Sequence, residues 1–348
     1  MKSDTDWSPL DVLDELDQKV VHALQVDGRA PFRRIGEVLG VSDQTVARRY
    51  TRLRASGTVR VLGLVDPLRV GLTPWFLRVR CTPDASASIG EAMARRTDTR
   101  CVSLLSGGTE IFCLTHAATP GEQEDTLLLQ KLPHTPRVVQ VTAHALLHVF
   151  FGQDLSPVTR SGPLDPEQLA ALVPADAPTR RPPFAQPPEP TPLNLGPGDA
   201  RLLDALARDG RTPAAELAAV TGWSQSTVRR RLSELRSCGA LYYDLDFDHA
   251  VMPDLRAALW LEVEPARLAE VGTALAAHSA VAFAGAITGT ANVFASLQVR
   301  DAGALYRYLT GPVAALPGIR RTETAPYHRT LKAASPYWEP ARTRPGTR

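Results

Sequence analysis

DQKVVHALQVDGRAPFRRIGEVLGVSDQTVARRYTRLRASGTVRVLGLVD, residues 17–66, and DARLLDALARDGRTPAAELAAVTGWSQSTVRRRLSELRSCGALYYDLDFD, residues 199–248, superpose without a gap at an offset of 182 and are identical at 18 of 50 positions. The chain therefore contains one unit twice. The matches fall where a local fold needs them. Asp27-Gly28-Arg29 and Pro31 return as Asp209-Gly210-Arg211 and Pro213, Gly40 and Ser42 as Gly222 and Ser224, and Gly57 as Gly239. The same offset carries Leu77, Pro83, Gly107 and Phe112 onto Leu259, Pro265, Gly289 and Phe294, so the repeat extends over about 135 residues, the size of an ordinary domain or domain pair.

In the first copy Leu16, Val20, Val21 and Leu24 recur at helical spacing and stop at Asp27-Gly28. Pro31 suits the first turn of a second helix carrying Phe32, Ile35, Val38 and Leu39, which Gly40 closes. Ser42 caps a third helix with Val46, Tyr50 and Leu53 facing inward, and Gly57 ends it. Two short helices joined by a tight glycine turn make a helix-turn-helix. Gln44, Thr45, Arg48, Arg49 and Arg52 share the remaining face of the last helix, with Ser42 at its start. Amides, hydroxyls and guanidiniums are the groups that meet base edges and phosphates in a major groove. The second copy presents Ser224, Ser226, Thr227, Arg230, Arg231 and Glu234 there. Arginines on an exposed helix are by themselves only a solvated face. Their return on the same face of a second, diverged copy favours double-stranded DNA as the partner.

Charge distribution agrees. The 348-residue chain has a net charge of only +2, which excludes a whole-chain polycation. Residues 17–60 nevertheless carry nine basic against four acidic side chains, and residues 199–242 seven against five. Only four of the 39 basic residues are lysine, a bias that suits phosphate and guanine contacts and that a GC-rich coding sequence also produces. The four cysteines form no C-x-x-C pair, the acidic start MKSDTDWSPLDVLDELD has no apolar core, and no apolar run reaches the ~18 residues that span a bilayer. A cytoplasmic protein is expected, with no membrane partner.

LDELDQKVVHALQVDGRAPFRRIGEVLGVSDQTVARRYTRLRASGTV and GDARLLDALARDGRTPAAELAAVTGWSQSTVRRRLSELRSCGAL each resemble the N-terminal region of the leucine-responsive regulator and AsnC family, the feast/famine regulators. Members usually carry one such unit per chain, so the tandem arrangement is a departure. The resemblance implies a transcriptional regulator and no enzyme.

Downstream of each helix-turn-helix the pattern changes to alternation. Trp75, Leu77, Val79 and Cys81 point one way and Phe76, Arg78 and Arg80 the other. Helix-like stretches at 86–96 and 120–132 and strands at 101–105, 110–114 and 138–144 complete a βαββαβ, ferredoxin-like order, which residues 257–325 repeat. Ile111-Phe112-Cys113-Leu114 is apolar on both faces, so helices should cover one side of this sheet and another sheet the other. The fold class read here is α+β, in two repeats of a winged-helix-like helix-turn-helix and a ferredoxin-like module. The boundaries are 10–62 and 63–151, a proline-rich linker at 152–196 with a short helix at 165–173, then 197–244 and 245–335.

The resemblance implies that the second module senses an amino acid-like small molecule near a G-x-x-D hairpin and mediates dimerisation. The matching residues are Gly107, Gly108, Thr109 and Glu110, and Gly289, Thr290, Ala291 and Asn292; both copies lack the aspartate. Gly107, Gly108, Glu110, Gly289, Thr290 and Asn292 are the candidate effector residues, although a glycine hairpin needs no ligand. Cys101 and Cys113 stand equidistant from Gly107 and can face each other as a redox pair or as plain small hydrophobes. His144 and His148 have no third ligand, so no metal and no cofactor are expected.

Two other functions compete: a metabolite-binding protein whose helix-turn-helix units are scaffold, and an enzyme like the sirohaem decarboxylases, which resemble the same family and occur as two-module chains. Those enzymes are associated with a basic R-H-R segment after the helix-turn-helix; this chain has Leu64-Val65-Asp66-Pro67-Leu68-Arg69 and Asp246-Phe247-Asp248-His249-Ala250 there. Finally, Arg78 and Arg80 correspond to Trp260 and Glu262, so pairing module one with module two sets opposite charges together. An intrachain pseudo-dimer with Arg80 near Glu262 is expected, assembling further into homo-oligomers; the alternative is that these side chains sit in water at the sheet edge.

Overall fold

A computed structural model describes residues 9–117, 132, 134–153, 156–177, 193, 195–247 and 255–333. Asp14 opens α1 (Glu15–Val26), its carboxylate accepting from the Asp17 amide at 2.9 Å. α2 (Phe32–Leu39) stops at Gly40, whose φ of +68° places it in the left-handed region glycine favours, and the chain turns into α3 (Asp43–Ala55). Then come β1 (Val59–Val65), β2 (Thr73–Cys81), α4 (Ser86–Ala94), β3 (Thr99–Leu105), β4 (Glu110–Ala117) and β5 (Val138–Phe151). Two short helices, α5 (Pro157–Ser161) and α6 (Pro166–Leu172), lead to the second copy: α7 (Pro197–Arg208), α8 (Ala214–Thr221), α9 (Gln225–Ser237), β6 (Leu241–Phe247), β7 (Leu255–Val263), α10 (Leu268–Ala277), β8 (Val281–Ile287), β9 (Val293–Val299), α11 (Ala302–Tyr308) and β10 (Ile319–Lys332).

The two copies fold onto each other. β1 and β6 pair antiparallel, Val59 opposite Phe247 and Val65 opposite Leu241, as a ribbon between the helix-turn-helix units and the sheets. The other eight strands close into a barrel in the order β10-β3-β4-β2-β5-β8-β9-β7. β3-β4-β2-β5 and β8-β9-β7-β10 are the two ferredoxin-like sheets, with their last strands as the seams. β5 runs 14 residues, pairing with β2 through Ala145 and with β8 from Leu146 onward. β10 does the same with β7 and then β3. The intrachain pseudo-dimer is thus built from shared strands.

Strand alternation sorts the residues. Leu77, Val79 and Cys81 pack outward in a cluster with Met93 and Ala94 of α4, while Phe76, Phe112, Trp260 and Phe294 fill the barrel. Phe112 and Phe294 stack with centroids 5.2 Å apart. Both faces of the sheet are buried, as Ile111–Leu114 predicts. Beside this plug the Arg78 guanidinium lies 4.7 Å from the Trp260 ring, pairs with Glu323 at 2.6 Å and also bonds Glu110. Burial alone would lower its pKa; the two glutamates hold it above the ordinary value. This corrects the expected pairing of Arg80 with Glu262: opposite charges do meet across the modules, but through Arg78, two positions earlier on the same face of β2, and its partner in the second module is Glu323. Arg80 is exposed.

The helix-turn-helix units share one hydrophobic core, with Val20, Leu24 and Val46 beside Leu202, Leu206 and Val228. Arg29 donates to the carbonyls of Gly210 (2.6 Å) and Thr212 (3.0 Å), and Arg211 returns the bonds to Gly28 (2.7 Å) and Ala30 (3.0 Å). The repeated Asp-Gly-Arg is therefore the joint between copies. A Cβ on Gly28 would stand 2.7 Å from Tyr243 Cβ, and one on Gly210 2.8 Å from the Leu62 carbonyl carbon.

One expectation changes. The boundaries at 62/63 and 244/245 would cut β1 and β6, strands absent from the sequence reading. The short helix expected in the linker at 165–173 is α6, capped by Asp165; its Leu172 is fully buried, and just before it the Leu164 amide donates to His22 Nδ1 at 3.1 Å. The helix expected over 120–132 lies, apart from Leu132, outside the described residues, as does linker stretch 178–192.

Candidate nucleic-acid interface

Recognition helices α3 and α9 are built alike. Ser42 Oγ accepts from the Thr45 amide at 3.2 Å, and Ser224 Oγ accepts from the Thr227 amide at 3.1 Å. Each serine fixes where its helix starts by satisfying an otherwise open N–H. Val46, Tyr50 and Leu53, and Val228, Leu232 and Leu235, anchor the inner faces. On the outer faces Gln44, Arg48, Arg52, Ser226 and Arg230 are exposed, while Thr45 and Thr227 are half-buried.

The arginines divide into two kinds. Arg49 bonds Asp14 (2.6 Å) and Asp17 (2.8 Å), and its duplicate Arg231 bonds Asp199 at 2.6 Å. Both are withdrawn to 22% side-chain exposure, against carboxylates at 4% and 7% for Asp17 and Asp199. Each of the two thus ties its recognition helix to the first helix of its own unit. The Arg49 hydrogen bond holds Asp14 down to about 2. Arg52 also bonds Asp17 but remains 58% exposed, and Arg230 is 74% exposed with Glu234 3.7 Å away. Arg48, Arg52 and Arg230 are thus the cations held outward, with Gln44 and Ser226 beside them. Sequence reasoning missed the Asp17 and Asp199 partners, although both aspartates are conserved between the copies at the same offset.

The proposed effector residues are scattered in role. Gly107 and Gly108 turn the first hairpin with φ of +70° and +89°, the Gly107 Cβ position facing open space. Glu110 is buried on Arg78 inside the barrel. Asn292 clamps a strand end: its Oδ1 accepts from the Val263 amide (2.9 Å) and its Nδ2 donates to the Val263 carbonyl (2.7 Å). Gly289, with φ of +108°, lies over the His144 ring, and Thr290 is exposed. The His144 ring donates from Nδ1 to the Thr288 carbonyl at 2.6 Å and sits 5.4 Å from Trp260, so this histidine serves the module junction. Cys101 and Cys113 are free thiols on neighbouring strands, and burial raises both pKa values. Among the described residues no helix is long and apolar enough to cross a membrane.

The barrel has a different character at each end. Away from the helix-turn-helix units Arg78, Arg80, Glu110, Arg321 and Glu323 line a polar pocket of about 240 Å³. Under the β1–β6 ribbon, beyond the aromatic plug, lies an apolar cavity of about 330 Å³.

Comparison with known proteins gives the same parts. The AsnC-type helix-turn-helix domain model matches residues 13–54 and 198–236, and the Lrp/AsnC ligand binding domain model matches 256–337. An uncharacterized HTH-type transcriptional regulator of Pyrococcus furiosus, PF1231, is 30% identical over 119 residues, 34% of this chain and 80% of that protein. The HTH-type transcriptional regulator FL11 of Pyrococcus horikoshii is 38% identical over 60 residues, 17% of this chain and 40% of that protein. Among solved structures the siroheme decarboxylase NirDL superposes with a TM-score of 0.60 at 13% identity, covering 93% of this chain and 94% of its own. That last likeness is one of fold.

Proposed function

The chain belongs to the Lrp/AsnC family of helix-turn-helix transcriptional regulators, and from that premise we propose a cytoplasmic, sequence-specific DNA-binding regulator that carries both reading heads of a dimer in one polypeptide. The observation that carries this reading is the pair of serine-capped helices, held rigidly together by the Arg29 and Arg211 cross-bonds, that turn Arg48, Arg52 and Arg230 outward. Because Gln44 and Arg52 are replaced by Ser226 and Glu234, the two heads read different half-sites. The small-molecule effector is amino acid-like. Its best-fitting place is the polar barrel mouth, where Arg80 and Arg321 suit a carboxylate and Glu323 an ammonium group. Further association into homo-oligomers accompanies DNA binding.

A second reading has one observation in its favour: the enzyme NirDL matches the two-module architecture over nearly the whole chain. Gel-shift of genomic DNA fragments, run beside an absorbance titration with an iron tetrapyrrole, separates the two. Retarded DNA with no spectral change supports the regulator. A shifted tetrapyrrole spectrum with turnover and no retarded DNA replaces it with the enzyme.

A further inference from the structure

The cavity beneath the β1–β6 ribbon is distinct from the hairpins and from the polar mouth, and its walls are of two kinds. Phe76, Phe112, Phe283 and Phe294 rise from the barrel, with Leu64 and Leu245 of the ribbon opposite. Into this space the chain puts two guanidiniums, Arg100 and Arg256, and the Lys332 ammonium, which donates to the Arg96 carbonyl at 2.6 Å. Neither guanidinium has a carboxylate partner among the described residues. Arg256 reaches only the Thr330 hydroxyl, at 3.1 Å, and lies 4.6 Å from the Tyr327 ring. The two carboxylates on the cavity wall are engaged elsewhere: Asp244 accepts from Gln25 at 3.2 Å and Asp246 bonds Arg60. The contrast is with Arg78 at the far end of the barrel, which two glutamates match. Both guanidiniums are half-buried, so an anion entering the cavity meets two cations that no carboxylate among the described residues already neutralises.

The backbone at Arg100 is also irregular. The β3–β4 pairing is interrupted between Arg100 and Ser103, and Cys101 holds a φ of +48°, outside the region an L-residue prefers. A bulge of this kind re-aims side chains, and such a conformation persists only where the surroundings hold it. A cavity of this volume is at the lower end of those that take a small organic ligand, and apolar walls with a few placed charges are their usual composition.

We propose that this cavity is a binding site for a small organic anion with a flat aromatic body, its carboxylate or sulfonate held by Arg100 and Arg256 and its rings against the phenylalanine wall. The site lies under the ribbon from which both helix-turn-helix units are hung, so its occupant touches the element joining sensor to reader.

The test uses the full chain and no DNA, so its outcome is separate from that of the regulator reading. The probe is 8-anilinonaphthalene-1-sulfonate, followed by fluorescence, with N-phenyl-1-naphthylamine as the same body without the charge. The site predicts one saturable probe per chain and binding of the neutral analogue weaker by about tenfold or more, the scale of a charge-assisted bond. Arg100→Gln with Arg256→Gln should weaken the anionic probe by at least that factor, and Arg321→Gln at the other mouth should leave it unchanged. Equal affinity in the double variant, or equal affinity for the neutral analogue, overturns the proposal. If the double variant does not fold, Ser296→Trp, which fills the cavity and keeps both arginines, decides: abolished binding supports the site and undiminished binding refutes it.

Discussion

His22 joins the linker to the first helix-turn-helix unit, and its protonation should loosen that joint. The ring is 1% exposed, its Nδ1 accepts the Leu164 amide at 3.1 Å, and Gly162 packs against it so closely that a Cβ there would stand 2.2 Å from Nδ1. Burial lowers its pKa from 6.5 to about 4. The folded chain therefore keeps the ring neutral where the unfolded chain takes up a proton. Stability from this group is complete above pH 6.5 and is lost as pH falls toward 4, because the unfolded state binds more protons across that window. At about 1.4 kcal/mol for each tenfold step, the drop from 6.5 to about 4 amounts to about 3 kcal/mol. The assay is urea denaturation at pH 7.5, 5.5 and 4.0 on the natural chain and on His22→Asn, which keeps an acceptor and does not titrate. The variant should start less stable at pH 7.5 and lose less on acidification. His278, also lowered chiefly by burial, is common to both proteins and cancels in the difference. Identical pH dependence in the two would refute the reasoning.

Other consequences follow from the joints. Gly210→Ala drives a methyl group into the Leu62 backbone and should cost about 1–3 kcal/mol by thermal unfolding; an unchanged melting temperature would mean the two units do not meet there. Arg231→Ala strands the Asp199 carboxylate and should destabilise by about 3–5 kcal/mol, whereas Arg230→Ala at an exposed position should stay within about 0.5 kcal/mol. Equal stability in those two variants would remove the distinction between clamping and reading arginines.

The helix-turn-helix units were legible because their signals are local: glycine stops at Gly40 and Gly222, serine caps at Ser42 and Ser224, and apolar residues at helical spacing. The ferredoxin-like order was legible from alternation and from the second copy. What the sequence concealed depends on contacts across about 180 residues. β1 and β6 are short strands that, among the described residues, pair only with each other, and the far halves of β5 and β10 pair with the opposite module. Opposite signs on the two modules were enough to predict their mutual pairing, while the choice between Arg78 and Arg80, two residues apart on one strand face, depended on how far along β2 the barrel covers that face. The tie of Arg49 and Arg231 to the first helix was hidden because nothing local reveals a buried aspartate 32 positions earlier.

The central claim is that both recognition helices of one chain engage one DNA duplex through outward arginines. Its most direct measurement is the slope of log affinity against log salt for a selected DNA site, in the natural chain and in Arg48→Ala with Arg230→Ala. Each lost phosphate contact reduces the slope by about 0.9. The account predicts a steep slope that becomes shallower by about 2 in the folded double variant, with weaker binding throughout. An unchanged slope and affinity would contradict it.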